Sequence, residues 1–156
     1  MFLNKKSIII NTSPDKVFDV IETMPNKFPV YKMLETRPLF FLRLLFTDGF
    51  STACRVWSFD KPVNLYVLKV GDTMGPFKLT EVKKPLKYWF SVNSYFLNCE
   101  TGYLLSADGN KTKLRFDITA ESLQPKEKVY WFLVKPIHHV LARKVLKVIK
   151  EKAERV

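Results

Sequence analysis

The chain has 156 residues, of which 47% are hydrophobic and 14% aromatic, with 13 Phe, 6 Tyr and 3 Trp. That length suits a single domain, 1–156, and the apolar content excludes a disordered or collagen-like protein. The formal net charge is +11, and residues 126–156 supply +6 of it, with nine Lys/Arg against three Asp/Glu.

Phe2 to Ile10 ends in the β-branched run Ile8-Ile9-Ile10 and reads as a strand. Ser13 then suits an N-cap, Pro14 the first helical position and Asp15 the positive helix end. Val17, Phe18, Val20 and Ile21 follow at helical spacing, which predicts a helix to about Met24. Pro25, Pro29 and Pro38 punctuate the next stretch, where one or two short helices are expected over 30–46. Pro38 to Phe46 has a single charge, Arg43, and is apolar almost all round.

From Asp48-Gly49 the period changes towards two, and strands are expected near 50–59, 63–71, 75–83, 86–96, 98–107 and 111–121. Asp108-Gly109 between apolar runs is a strong hairpin signal. Gly71-Asp72-Thr73-Met74-Gly75 lacks the helix that a phosphate loop needs and reads as a strand connection. Gln124-Pro125 opens a long final helix whose Tyr130, Val134, Ile137, Leu141, Val145 and Val148 form one apolar face. Pro136 lies inside it and is expected to kink it. An antiparallel sheet with one apolar face must cover that face, and the last helix is the obvious cover.

The opening Ile8-Ile9-Ile10-Asn11-Thr12-Ser13-Pro14-Asp15-Lys16-Val17-Phe18 resembles the start of the START/Bet v 1-like (SRPBCC, polyketide cyclase-like) superfamily. Val70 to Phe77 and Val129-Tyr130-Trp131-Phe132-Leu133-Val134-Lys135-Pro136-Ile137-His138 resemble an uncharacterised bacterial subgroup of it. The resemblance implies an α+β helix-grip fold: a curved antiparallel sheet of about seven strands wrapped on a long C-terminal helix, with short helices after the first strand. It also implies a hydrophobic cavity between sheet and helix. It does not imply one function, since members bind lipids or hormones, cyclise polyketides or serve as chaperone cofactors.

In such a cavity the candidate ligand-binding residues are Phe40, Phe41, Leu44, Trp57, Tyr88, Phe90, Tyr103, Val134, Ile137, His138 and Leu141. Alternation places Tyr88 and Phe90 on one face of a strand and Trp89 on the other. Phe40, Phe41 and Leu44 are read as an apolar wall or lid. His138 and His139 are the only histidines. His138 either anchors a ligand oxygen or satisfies carbonyls freed at Pro136, while His139 shares a side with Lys135 and Arg143 and is expected to face water.

No pair of carboxylates, nucleophile elbow or glycine-rich nucleotide fingerprint stands out, so no catalytic residue and no cofactor is assigned. Cys54 and Cys99 are too few for a disulfide scaffold, and with two adjacent histidines they make no zinc site. The charges of Lys5 and Lys6 follow the first apolar residues, an order wrong for a secretory signal. The longest apolar run falls well short of the roughly 20 residues that span a bilayer. A soluble, cytoplasmic protein is the simplest expectation.

The basic stretch Arg143 to Lys152 invites an anionic membrane surface. Nucleic acid is disfavoured, because aromatics that would stack on bases are absent after Phe132. The leading expectation is a module that binds a hydrophobic small molecule or lipid. The alternatives are a polyketide cyclase/aromatase-like enzyme acting on an oxygenated hydrophobic substrate, and an adaptor for an anionic membrane surface.

Overall fold

The computed structural model describes residues 1–23, 68–74, 77–93 and 97–155, with scattered positions between 38 and 54. Its elements in chain order are β1 (Phe2–Ile10), α1 (Pro14–Thr23), β2 (Thr73–Met74), β3 (Phe77–Lys83), β4 (Lys87–Asn93), β5 (Asn98–Asp108), β6 (Lys111–Thr119) and α2 (Pro125–Ala153). All strands join one antiparallel sheet in the order β1-β6-β5-β4-β3-β2, so the first strand pairs with the last. The fold is α+β, an antiparallel sheet with a long C-terminal helix.

The strand count differs from the about seven expected from alternation. Among the described residues there are five long strands, and β2 adds only two residues at one edge. The strand expected near 50–59 is not one at its described positions, because Phe50, Ser51 and Cys54 are helical. Phe46, Phe50, Cys54 and Trp57 recur at spacings of three to four, so the same apolar residues also fit a helix. The rest of that segment, most of the stretch expected over 63–71, and most of the short helices expected over 30–46 lie outside the described residues.

Local chemistry explains the turns. Gly109 has φ 59° at the first position of a two-residue loop between Asp108 and Lys111, the conformation a type II′ hairpin asks of glycine. Asp72 opens β2: its carboxylate accepts the Lys69 N–H at 2.9 Å, and its carbonyl accepts the Leu79 N–H at 2.9 Å.

Alternation along the strands sorts side chains to two faces. The inner face carries Ile10, Leu79, Tyr88, Phe90, Leu105 and Leu114, packed against Val17, Phe18 and Ile21 of α1 and Val145, Leu146 and Ile149 of α2. A second cluster joins Leu3, Leu97 and Ile118 to Tyr130, Trp131 and Val134 at the other end of α2. Phe116 packs on both clusters. Each large side chain buried in this way contributes roughly 1.5–3 kcal/mol.

The helix α2 continues unbroken through Pro136, which sits on its exposed side. Its start is held by Glu127, whose carboxylate accepts the Gln124 N–H at 2.8 Å. Its end is tied to the end of β1 and the link beyond it: Glu154 accepts the Asn11 N–H at 2.8 Å and Lys150 donates to the Ile9 carbonyl at 3.0 Å.

Candidate functional site

Three strands lay an aromatic row across the inner face. Tyr88 of β4 stands opposite Tyr103 of β5, which stands opposite Phe116 of β6. The Tyr103 and Phe116 rings lie 5.4 Å apart, and Phe90 meets Tyr88 edge-on at 5.2 Å. Phe18 of α1 closes on Tyr88 edge-on at 6.0 Å, and Phe77 meets Phe90 at 6.3 Å. Edge-to-face pairs of this kind add to the area buried, so the row is a stiff apolar floor.

Its polar points are two phenols. Tyr88 is 0% exposed, and among the described residues its hydroxyl has no hydrogen-bond partner. Burial pushes its pKa up to about 12, helped by the negative charges of Glu22 and Asp72. Burial also lifts the Tyr103 hydroxyl above the usual phenol range, with Tyr88 adding to the shift. Both phenols are therefore neutral donors at pH 7. A buried hydroxyl without a partner costs about 1–3 kcal/mol, which an incoming oxygen acceptor would recover.

The residues expected on the helix side are distributed along α2. Val134 is buried in the cluster with Trp131 and Ile118, and Leu141 is buried further along. Ile137 and His138 are half-buried, and the His138 ring lies 5.2 Å from that of Trp131, tilted by 40°. His139 does not simply face water as expected: it is half-buried, and burial lowers its pKa, with Lys6, Lys135 and Arg143 adding to the effect. Lys6 can contribute because β1 sets it opposite Phe116, on the face that α2 covers. Phe41 is half-buried and helical, whereas its neighbour Leu42 is 41% exposed. Phe40, Leu44 and Trp57 lie outside the described residues. The structure thus gathers Tyr88, Phe90 and Tyr103 in one cluster and puts Val134 in another.

A cleft of about 700 Å³ opens at the end of the sheet, where β4, β5 and β6 meet the start of α2. None of the candidate ligand-binding residues that the structure describes lines it. Its walls are mixed: Asn93, Asn98, Glu100, Glu121 and Glu127 stand beside Met1, Val92 and Ala120. Glu127 is buried, and its second carboxylate oxygen accepts the Asn98 N–H at 3.3 Å. Glu100 accepts the Trp89 indole N–H at 3.1 Å on the outer face. The spacing of Gln124 and Glu127, a cap followed three residues later by Glu, is the sequence signal that marks this carboxylate. No group of His, Cys, Asp and Glu among the described residues is arranged to hold a metal ion. No helix among them is long and apolar enough to cross a membrane.

No family model matches the sequence, and no curated protein matches it. Among solved structures, the chain is similar to the solution structure of the Aha1 dimer from Colwellia psychrerythraea, with 15% identity and a TM-score of 0.49 over 96% of this chain and 94% of that one. It is also similar to the crystal structure of DynU16, a protein of the dynemicin biosynthetic locus, with 13% identity and a TM-score of 0.45. That alignment takes in 97% of this chain and 45% of DynU16.

Proposed function

We propose that this chain is a member of the START/Bet v 1-like superfamily and holds a hydrophobic small molecule or lipid against the inner face of its sheet. The order of elements supports the first part: a β-branched strand, a proline-initiated helix with Val17-Phe18, an antiparallel sheet and a long closing helix. One observation carries the second part. The aromatic floor contains a fully buried hydroxyl, on Tyr88, that no described residue satisfies. An apolar ligand with one oxygen acceptor fits that floor, since the rings take its hydrocarbon and the phenol takes its oxygen.

Native mass spectrometry of the purified protein tests the reading directly, with a co-purified small molecule as the expected result. A fluorescent fatty-acid probe provides the second arm. Tyr88→Phe should weaken its binding about tenfold, the usual effect of losing one buried hydrogen bond to a ligand. A protein that carries no ligand and binds the probe equally well with or without the hydroxyl would refute the proposal.

A further inference from the structure

The helix α2 has two apolar faces, and the described residues pack only one of them. Val129, Phe132, Leu133, Pro136 and Val140 recur at spacings of three to four along its N-terminal half, all of them exposed. Phe132 is 78% exposed, Val129 63% and Leu133 57%, values that leave these side chains largely unpacked among the described residues. At roughly 100° per residue they share one side of the helix. Continuing along that same side, the C-terminal half presents Arg143, Lys144 and Lys147, also exposed. Glu151 is the acidic residue there, 3.9 Å from Lys147.

We infer that the outer face of α2 is a docking surface for an anionic lipid bilayer. The charge complementarity is direct: a chain of net charge +11 places three cations in line with an exposed apolar stripe. From Val129 to Val140 the stripe is about 16 Å long at 1.5 Å per residue, so a helix lying flat sinks these side chains to the acyl boundary. In the same pose the basic half reaches the headgroups. Lys126, Lys128 and Lys135, all exposed, flank the apolar half and suit the same surface. A second copy of the chain would cover the apolar half but leave the cations unanswered; a bilayer answers both. This face lies opposite the packed one, so the inference stands apart from the reading of the aromatic floor.

Co-sedimentation of the full chain with vesicles tests it. The chain should bind vesicles of phosphatidylcholine and phosphatidylserine in equal parts and leave phosphatidylcholine alone. Phe132→Ser with Leu133→Ser should lower that binding about tenfold or more, because the transfer of exposed apolar surface is lost. Arg143→Gln with Lys144→Gln and Lys147→Gln should lower it too, and make what remains insensitive to salt. All five positions are exposed, so circular dichroism should be unchanged in both variants. Binding by either variant equal to that of the parent would overturn the inference. So would a chain that ignores the vesicles and forms a dimer that Leu133→Ser dissociates, since a second copy would then be the occupant.

Discussion

The carboxylate of Glu127 bridges the start of α2 to the start of β5: one oxygen accepts the Gln124 N–H at 2.8 Å and the other the Asn98 N–H at 3.3 Å. A negative charge there also faces the positive end of a 29-residue helix. Glu127 is therefore the joint between sheet and helix at the rim of the cleft. Glu127→Gln keeps one acceptor and sets an amide N–H₂ against a backbone donor. Urea denaturation should register a loss of about 1–3 kcal/mol. Hydrogen exchange at the Asn98 amide should accelerate in the same variant.

Gly102 is required by its neighbours. A Cβ added there would lie 2.2 Å from the Tyr88 carbonyl oxygen and 2.8 Å from the Trp89 ring. The first is β4 backbone and the second a ring held by Glu100, neither of them the free end of a flexible side chain. Gly102→Ala should destabilise the protein by about 1–3 kcal/mol, seen as a lower melting temperature, with Trp89 fluorescence shifted to the red.

Tyr88 gives a test that depends on pH. Its folded pKa is raised to about 12 from an ordinary 10.0, so the folded state holds the proton more tightly than the unfolded state. The associated stability is present in full below pH 10 and is lost as pH rises towards 12. Tyr88→Phe should be neutral or stabilising by about 1 kcal/mol at pH 7, because it removes an unsatisfied hydroxyl. Its advantage over the parent should widen by roughly 2–3 kcal/mol across the alkaline range. Parallel stability curves for the two proteins between neutral and alkaline pH would contradict the assignment.

Pro136 lies in the interior of α2 and cannot donate to the carbonyl of Phe132. The helix runs on regardless, and the position is exposed. Pro136→Ala should restore the missing bond and raise stability by about 1–3 kcal/mol, measured by thermal melting. A stability unchanged within error would mean that the flanking packing at Val134 and Leu141 already sets the helix geometry.

The elements easiest to read from the sequence were those whose signals agree at several levels. Ile8-Ile9-Ile10 marks β1, Ser13-Pro14-Asp15 starts α1, Asp108-Gly109 turns β5 into β6, and Gln124-Pro125 opens α2. The stretch after Gly49 misled because Phe50 and Cys54 satisfy helical spacing as well as a looser alternation. In the site, alternation sorted Tyr88 and Phe90 to one face and Trp89 to the other, as the pairing with Tyr103 and Gly102 has it. Two things escaped. Lys6 adds to the lowering at His139 because α2 packs across β1, a long-range partnership that local pattern does not announce. The outer apolar stripe of α2 was hidden by its inner one, since Val129, Phe132 and Leu133 interleave with Tyr130, Trp131 and Val134.

The pairing of β1 with β6 has a consequence for the newborn chain. Thr12 and Thr112, joined by a hydrogen bond of 2.6 Å, are 100 residues apart in sequence. At roughly 5–20 residues per second, ribosomes need some 5–20 s to deliver the second after the first. Throughout that interval Ile8, Ile9 and Ile10 have no strand to pair with, and a β-branched edge of this kind is a template for association with other chains. The consecutive lysines just before them, Lys5 and Lys6, are the charges best placed to keep that edge solitary until its partner emerges.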